Sequence, residues 1–199
     1  MMRAFYHPDQ ALHAPQQYMR FGRVVRARDL PERTERLLQA LAGRGIPVET
    51  PPPVGMDPIL AVHTADYVQF LRTAWDQWQT LPEDRGPEVW PATFPYWSGR
   101  PEQRARPAPR PTGLLGRLGW YLGDMSVPLD AHSWTSIRQS AETAVAGAEA
   151  VADGAGLAYA LCRPSGHHAR ADRASGFCYL NNSAIAAAPS IGDRRGPPR

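Results

Sequence analysis

The chain has 199 residues, of which 43% are apolar and 21% charged, with a formal net charge of +3 and a pI near 9.1. That size and balance suit one domain with a buried core. No run approaches the ~20 apolar residues of a membrane span, and the N-terminus lacks a signal-peptide core.

The arginines are spread along loops rather than gathered on one helix face, so neither nucleic acid nor membrane is expected as a partner, and the expected location is cytoplasmic. Cys162 and Cys178 are the only cysteines, which argues against a disulfide framework and suggests buried thiols.

Met2-Arg3-Ala4-Phe5-Tyr6 reads as a first strand that ends at His7-Pro8. A long loop is expected from His7 to Leu30. Pro31 then opens a helix with Leu37, Leu38 and Leu41 as its apolar face, closed by Gly43 and Gly45. Ile46-Pro47-Val48-Glu49 reads as the second strand.

Asp57-Pro58 reads as a helix cap with proline in the first turn, and Thr64 with Asp66 starts a further helix through Trp78. Its face, Tyr67, Phe70, Leu71, Ala74, Trp75 and Trp78, has the spacing of a core stripe. Leu81 to Pro111, rich in proline and arginine with Trp90, Phe94, Tyr96 and Trp97, is too long for an ordinary connection and is expected to face substrate.

The glycines Gly113, Gly116, Gly119 and Gly123 follow no strand and precede no lysine, which argues against phosphate binding. Ser133 is expected to cap a long helix with Ile137, Ala141, Ala144, Val145, Ala148, Val151 and Ala152 on one face, ending near Gly154 and Gly156. Leu157 to Cys162 reads as a buried strand, and Asn181-Asn182-Ser183 starts a last helix through Ala187. Pro189 is expected to end it, leaving 189–199 as a divergent, disordered tail. Strands alternating with helices predict a parallel α/β sheet.

Between the last strand and helix lie Leu161-Cys162-Arg163-Pro164-Ser165-Gly166-His167-His168-Ala169 and Ser175-Gly176-Phe177-Cys178-Tyr179-Leu180-Asn181-Asn182. An imidazole titrates near neutrality, so a pair can take a proton from water and return one to a leaving group. Neighbours on a regular strand point oppositely, so two adjacent histidines need the irregular backbone that Pro164 and Gly166 supply. Without context, such a pair would be surface or capping residues. Cys162, Cys178, His167 and His168 could also suggest a structural zinc site, although their spacing suits one poorly.

These two motifs resemble the signature of the zinc-dependent histone deacetylase superfamily and are most similar to its acetylpolyamine amidohydrolase and histone deacetylase-like amidohydrolase branch. Val62-His63-Thr64-Ala65-Asp66-Tyr67-Val68-Gln69-Phe70-Leu71 is similar to the family's early segment. The resemblance implies an arginase-like three-layer α/β/α fold with a mainly parallel sheet. It implies hydrolysis of an N-acetyl amide on lysine or a polyamine, with His167 and His168 as the acid/base dyad. Gly176, Phe177 and, on the early loop, Tyr18 would contact substrate. Leu115 stands where the polyamine branch carries an acidic residue, so both substrate classes stay open.

The resemblance also implies a zinc ion held by two aspartates and a histidine from later strand ends. No histidine follows His168, and Asp193 is followed by arginines. Residues 1–188 are therefore expected to be the N-terminal part of a deacetylase-like domain, C-terminally incomplete and truncated. The ligands are expected beyond the chain, with zinc unbound and the chain inactive. An alternative is a non-catalytic interaction protein that retains part of the fold. A homo-oligomer is compatible with either.

Overall fold

The computed structural model describes residues 2–95 and 110–194. The first strand, β1 (Arg3–Phe5), stops where Pro8 begins a short 3-10 turn, Pro8–Ala11, with His7 Nδ1 accepting from the Asp9 amide at 3.2 Å.

The segment expected as one loop contains a hairpin instead, β2 (Gln17–Arg20) paired antiparallel with β3 (Arg23–Arg26). Its turn residues, Phe21 and Gly22, have φ of 48° and 75°. Two left-handed residues match the twist of a two-residue hairpin, but the usual signal is Asn-Gly or Asp-Gly, and Phe-Gly concealed it.

Helix α1 (Glu32–Ala42) buries Thr34 and Leu41, and Leu37, expected on its apolar face, is 42% exposed. Positions 34, 38 and 41 share one side of the helix, and 37 lies at its edge. After β4 (Val48–Glu49) comes a single turn, α2 (Asp57–Leu60), which contains Asp57 rather than being capped by it. Helix α3 (Ala65–Gln79) buries the predicted Tyr67, Phe70, Leu71, Ala74 and Trp78, with Trp75 packed at the edge.

Of the expected substrate-facing loop, Tyr96 and Trp97 lie outside the described residues. The glycine-containing segment forms α4 (Leu114–Tyr121), where a side chain on Gly119 would collide with the Thr93 carbonyl.

Helix α5 (Ser133–Ala152) begins with Ser133 inside it rather than capping it, because the Ser133 hydroxyl is engaged by Asp130. The helix is buried on two sides: Ile137, Ala141 and Val145 join the main core, while Ala146 and Ala150 pack on Phe5. Val151, placed on the buried face by periodicity, is 49% exposed.

Strand β5 (Ala158–Ala160) pairs parallel with β1, giving a three-stranded parallel sheet in the order β4-β1-β5, as the alternation of elements predicted. Helix α6 (Asn182–Arg194) runs through Pro189, which was expected to end it and open a disordered tail. A proline inside a helix removes one backbone donor. Packing of α6 on α5 and α2 holds the helix despite that loss.

The main core joins α3, α4, α5 and α6 through Phe70, Tyr121, Ile137, Tyr179 and Ile185. Each such side chain contributes ~1.5–3 kcal/mol by burial. No helix among the described residues is long and apolar enough to cross a membrane.

Candidate active site at the histidine loop

At the carboxyl end of β5, the chain enters the histidine loop through Arg163, which is 4% exposed. Its amide donates to Gln10 Oε1 at 2.7 Å, and its guanidinium donates to the carbonyls of Gln10 and Asp29 at 2.9 and 2.6 Å. Burial lowers its pKa, and the Asp29 carboxylate at 3.4 Å opposes that loss of charge. Sequence reading treated Arg163 only as part of a motif. Here it is the anchor that ties β5 to the amino-terminal segment.

The bend after it has a cis Arg163–Pro164 bond. The Asn182 amide group covers the bend, donating to Pro164 O at 2.9 Å and Ser165 O at 2.7 Å. Gly166 has φ +110°; a Cβ there would collide with Leu180 O and stand 2.7 Å from the Asn182 amide. Only glycine fits that backbone.

On this frame the rings of His167 and His168 lie with centroids 4.2 Å apart at 46°. Both residues are exposed. The Ser165 hydroxyl is 3.4 Å from His167 Nδ1. His168 packs against Gly176, where a Cβ would lie 2.7 Å from its Cδ2. The structure therefore brings the two predicted histidines and Gly176 together.

Gly176 and Phe177 form a tight turn with φ of 55° and 63°, closed by reciprocal backbone hydrogen bonds between Ser175 and Cys178. A phenylalanine in the left-handed region is uncommon and is held only where its surroundings impose it. One such constraint is Asp124, which the sequence reading missed. Its Oδ2 accepts from the Ser175 hydroxyl at 2.8 Å and the Gly176 amide at 2.9 Å, and its Oδ1 from Ser126. Burial alone would raise the Asp124 pKa, but the hydrogen bonds from Ser126, Gly176 and Ser175 outweigh it and hold the carboxyl below its usual range.

The neighbouring Met125 carbonyl accepts from the Met19 amide at 3.0 Å, which fastens β2 to the same spot. Tyr18, on β2 rather than in a loop, therefore meets the Phe177 ring edge-on, with centroids 5.1 Å apart at 70°. An Asp-x-Ser turn was visible in the sequence, but its reach to Ser175 was not.

Two buried histidines support the loop from behind. His63 Nε2 accepts from the Asn181 amide at 2.9 Å and Nδ1 faces Ala171 O at 3.2 Å, so the ring is neutral; its burial lowers its pKa accordingly. His13 contacts the Ser133 hydroxyl at 2.9 Å and Tyr179 OH at 3.5 Å, and burial pushes its pKa down to about 4 against the pull of Asp130.

Both cysteines are free, and burial pushes the Cys162 thiol up to about 12. The buried Cys178 sulfur accepts from the Gly166 amide at 3.2 Å. No three His, Cys, Asp or Glu side chains among the described residues stand close enough to hold a metal. Among the described residues, then, no cluster fits a zinc site, whether catalytic or of the Cys162, Cys178, His167, His168 type.

The histone deacetylase domain model matches residues 28–195. An acetylpolyamine amidohydrolase of Burkholderia pseudomallei (strain 1710b) is 44% identical over 94% of this chain and 52% of its own length. Acetylpolyamine amidohydrolase 1 of Pseudomonas aeruginosa is 37% identical over 93% of this chain and 52% of its own. The crystal structure of an acetylpolyamine aminohydrolase from Burkholderia pseudomallei superposes with a TM-score of 0.86 at 43% identity, covering 98% of this chain and 54% of that one. A histone deacetylase homolog from Aquifex aeolicus shares the fold with a TM-score of 0.60 at 19% identity. The parallel sheet with its helices belongs to the arginase-like α/β/α class expected from the motifs. The chain spans about half the length of the relatives it matches.

Proposed function

Because this chain belongs to the histone deacetylase family, we propose that it carries the acid/base dyad and the aromatic wall of an amidohydrolase that releases acetate from an N-acetylated amine. The observation that carries this reading is the contact of the His167 and His168 rings, 4.2 Å apart at the carboxyl end of β5. One imidazole takes a proton from the attacking water, and the other returns a proton to the amine as the amide C–N bond breaks. Gly176 leaves room for the His168 ring, and Phe177 with Tyr18 walls a channel for the substrate's methylenes.

The relatives, acetylpolyamine amidohydrolases by name, favour an acetylpolyamine over an acetyl-lysine as substrate. Leu115 is 50% exposed on α4, and its side chain offers no charge to a polyamine there. The cytoplasmic location belongs to the same proposal.

The described residues do not fit the zinc of the family, so this chain's own part is proton transfer and channel lining. Alone, the 199 residues are expected to show neither stoichiometric zinc nor turnover. Atomic absorption beside acetate release from an acetylated diamine and an acetyl-lysine peptide tests this, and stoichiometric zinc with turnover overturns it. Titration of an acetylated diamine followed by NMR should shift the Tyr18 and Phe177 rings; unmoved rings would remove the channel assignment.

A further inference from the structure

Val89 and Leu129 exchange backbone hydrogen bonds of 2.8 and 3.2 Å as an isolated antiparallel bridge. Its register sets Glu88 opposite Asp130, and facing residues of such a pair share a side. Both carboxyls reach the segment that leads into β2. Glu88 Oε1 accepts from the Gln16 amide at 2.7 Å, and Asp130 Oδ2 from the Ala14 amide at 3.1 Å. Glu88 is 5% exposed, and among the described residues its Oε2 has no hydrogen-bond partner. Burial raises its pKa, the Gln16 and Gln17 amides oppose that shift, and Asp130 adds to it. A carboxyl buried with one idle oxygen is costly, so its place needs an account beyond local stability.

That account lies in the aromatic wall. Two residues after Gln16 stands Tyr18, whose ring meets Phe177 edge-on at 5.1 Å. Strand β2 is pinned on either side of Tyr18, by Glu88 at the Gln16 amide and by the Met125 carbonyl at the Met19 amide. The other ring is referred to the same bridge: Tyr179, two residues after Phe177, donates its hydroxyl to the Pro128 carbonyl beside Leu129. The Val89–Leu129 bridge is thus a common frame for both rings.

We propose that Glu88 is a positioning residue for substrate recognition: through the Gln16 amide it holds the Tyr18 ring against Phe177, so that the two rings form one continuous wall for the methylenes of an acetylated amine. This rests on the channel reading of Tyr18 and Phe177. A two-stranded hairpin is marginal in water, and the tip of this one is bare, with Phe21 91% exposed, so its anchors decide where Tyr18 stands. The Ala27 amide, donating to the Gln16 carbonyl at 2.9 Å, carries the same anchor across to the end of β3. Loss of the Glu88 acceptor leaves the Gln16 amide without a partner and frees the entry to β2.

The test follows the 199-residue chain by NMR, reading the Tyr18–Phe177 cross-peak and the shifts of both rings during titration with N-acetylputrescine. Glu88→Ala should weaken the cross-peak and raise the Kd roughly fivefold, and Glu88→Gln, which keeps an acceptor for the Gln16 amide, should restore both to within about twofold of the parent. Val68→Ala, buried on α3, supplies a loss of stability in urea without touching the anchor and should move neither. Gln16→Pro deletes the donor and spares the carboxyl, so it should repeat the loss, and it carries the test if Glu88→Ala does not fold.

An unchanged cross-peak in Glu88→Ala or Gln16→Pro, a Glu88→Gln no better than Glu88→Ala, or equal weakening in Val68→Ala overturns the proposal. If N-acetylputrescine moves neither ring in the parent chain, the channel reading falls and takes the substrate role with it, while the cross-peak still decides whether Glu88 holds Tyr18.

Discussion

At the root of the histidine loop, Arg163, Cys178, Tyr179 and Asn182 are buried and hydrogen-bonded. At its tip, His167 and His168 are exposed, with the Ser165 hydroxyl and each other as neighbours. The root spends its polar groups on fixing backbone, and almost none of that network reaches the imidazole nitrogens. Stability and the proposed proton chemistry therefore fall to different residues within one short segment, and substitutions can separate them.

The largest effect is expected at Gly166, where a Cβ would strike the backbone on either side of Asn181. Gly166→Val should cost more than ~3 kcal/mol by urea unfolding, or prevent folding. An unchanged midpoint would mean that the root is not the rigid part.

Acid tests the root next. His13 has a folded-state pKa of about 4 against an ordinary 6.5, with Ser133, Asp130, Tyr179, Arg163 and Asp29 facing or near it. The unfolded chain takes up that proton first, so stability held above pH 6.5 is lost as pH falls toward 4. The loss should approach ~1.4 kcal/mol per pH unit, and His13→Gln should flatten it. A wild-type profile flat across that window would contradict the buried neutral assignment.

Asp124→Asn should cost ~1 kcal/mol, since an amide oxygen cannot serve both donor pairs. Because the Asp124 pKa is depressed, its contribution is present above 3.8 and lost as pH falls through the lower folded value, and the variant should lack that acid-side loss. The Tyr18–Phe177 cross-peak in NMR should weaken in the variant, and an intact cross-peak would show that other contacts hold the turn.

The smallest effect on stability belongs to the tip. His167→Ala and His168→Ala should change the unfolding free energy by less than ~0.5 kcal/mol. A larger loss in either would erase the division between root and tip.

What the sequence made legible follows range. The α3 stripe, the β5 strand and the histidine motif are local patterns, and each appears where periodicity or spacing placed it. The β2–β3 hairpin was hidden because Phe21 occupies a position that glycine or asparagine usually announces. The two-sided burial of α5 was hidden because Thr143 is buried against a partner far away in sequence, Gln10. Asp124 shows the same limit: its Asx turn is local, but its reach to Gly176 exists only in the folded chain.

His63 has a consequence for how the loop can open. By holding Ala171 with one nitrogen and Asn181 with the other, it works as a reversible rivet across the two ends of the segment 171–181. A protonated ring has no lone pair for the Asn181 amide, so a single proton would pull the rivet. Asn181 would then keep only its side-chain bond to Ala169 O, while Asp124 goes on holding Ser175 and Gly176.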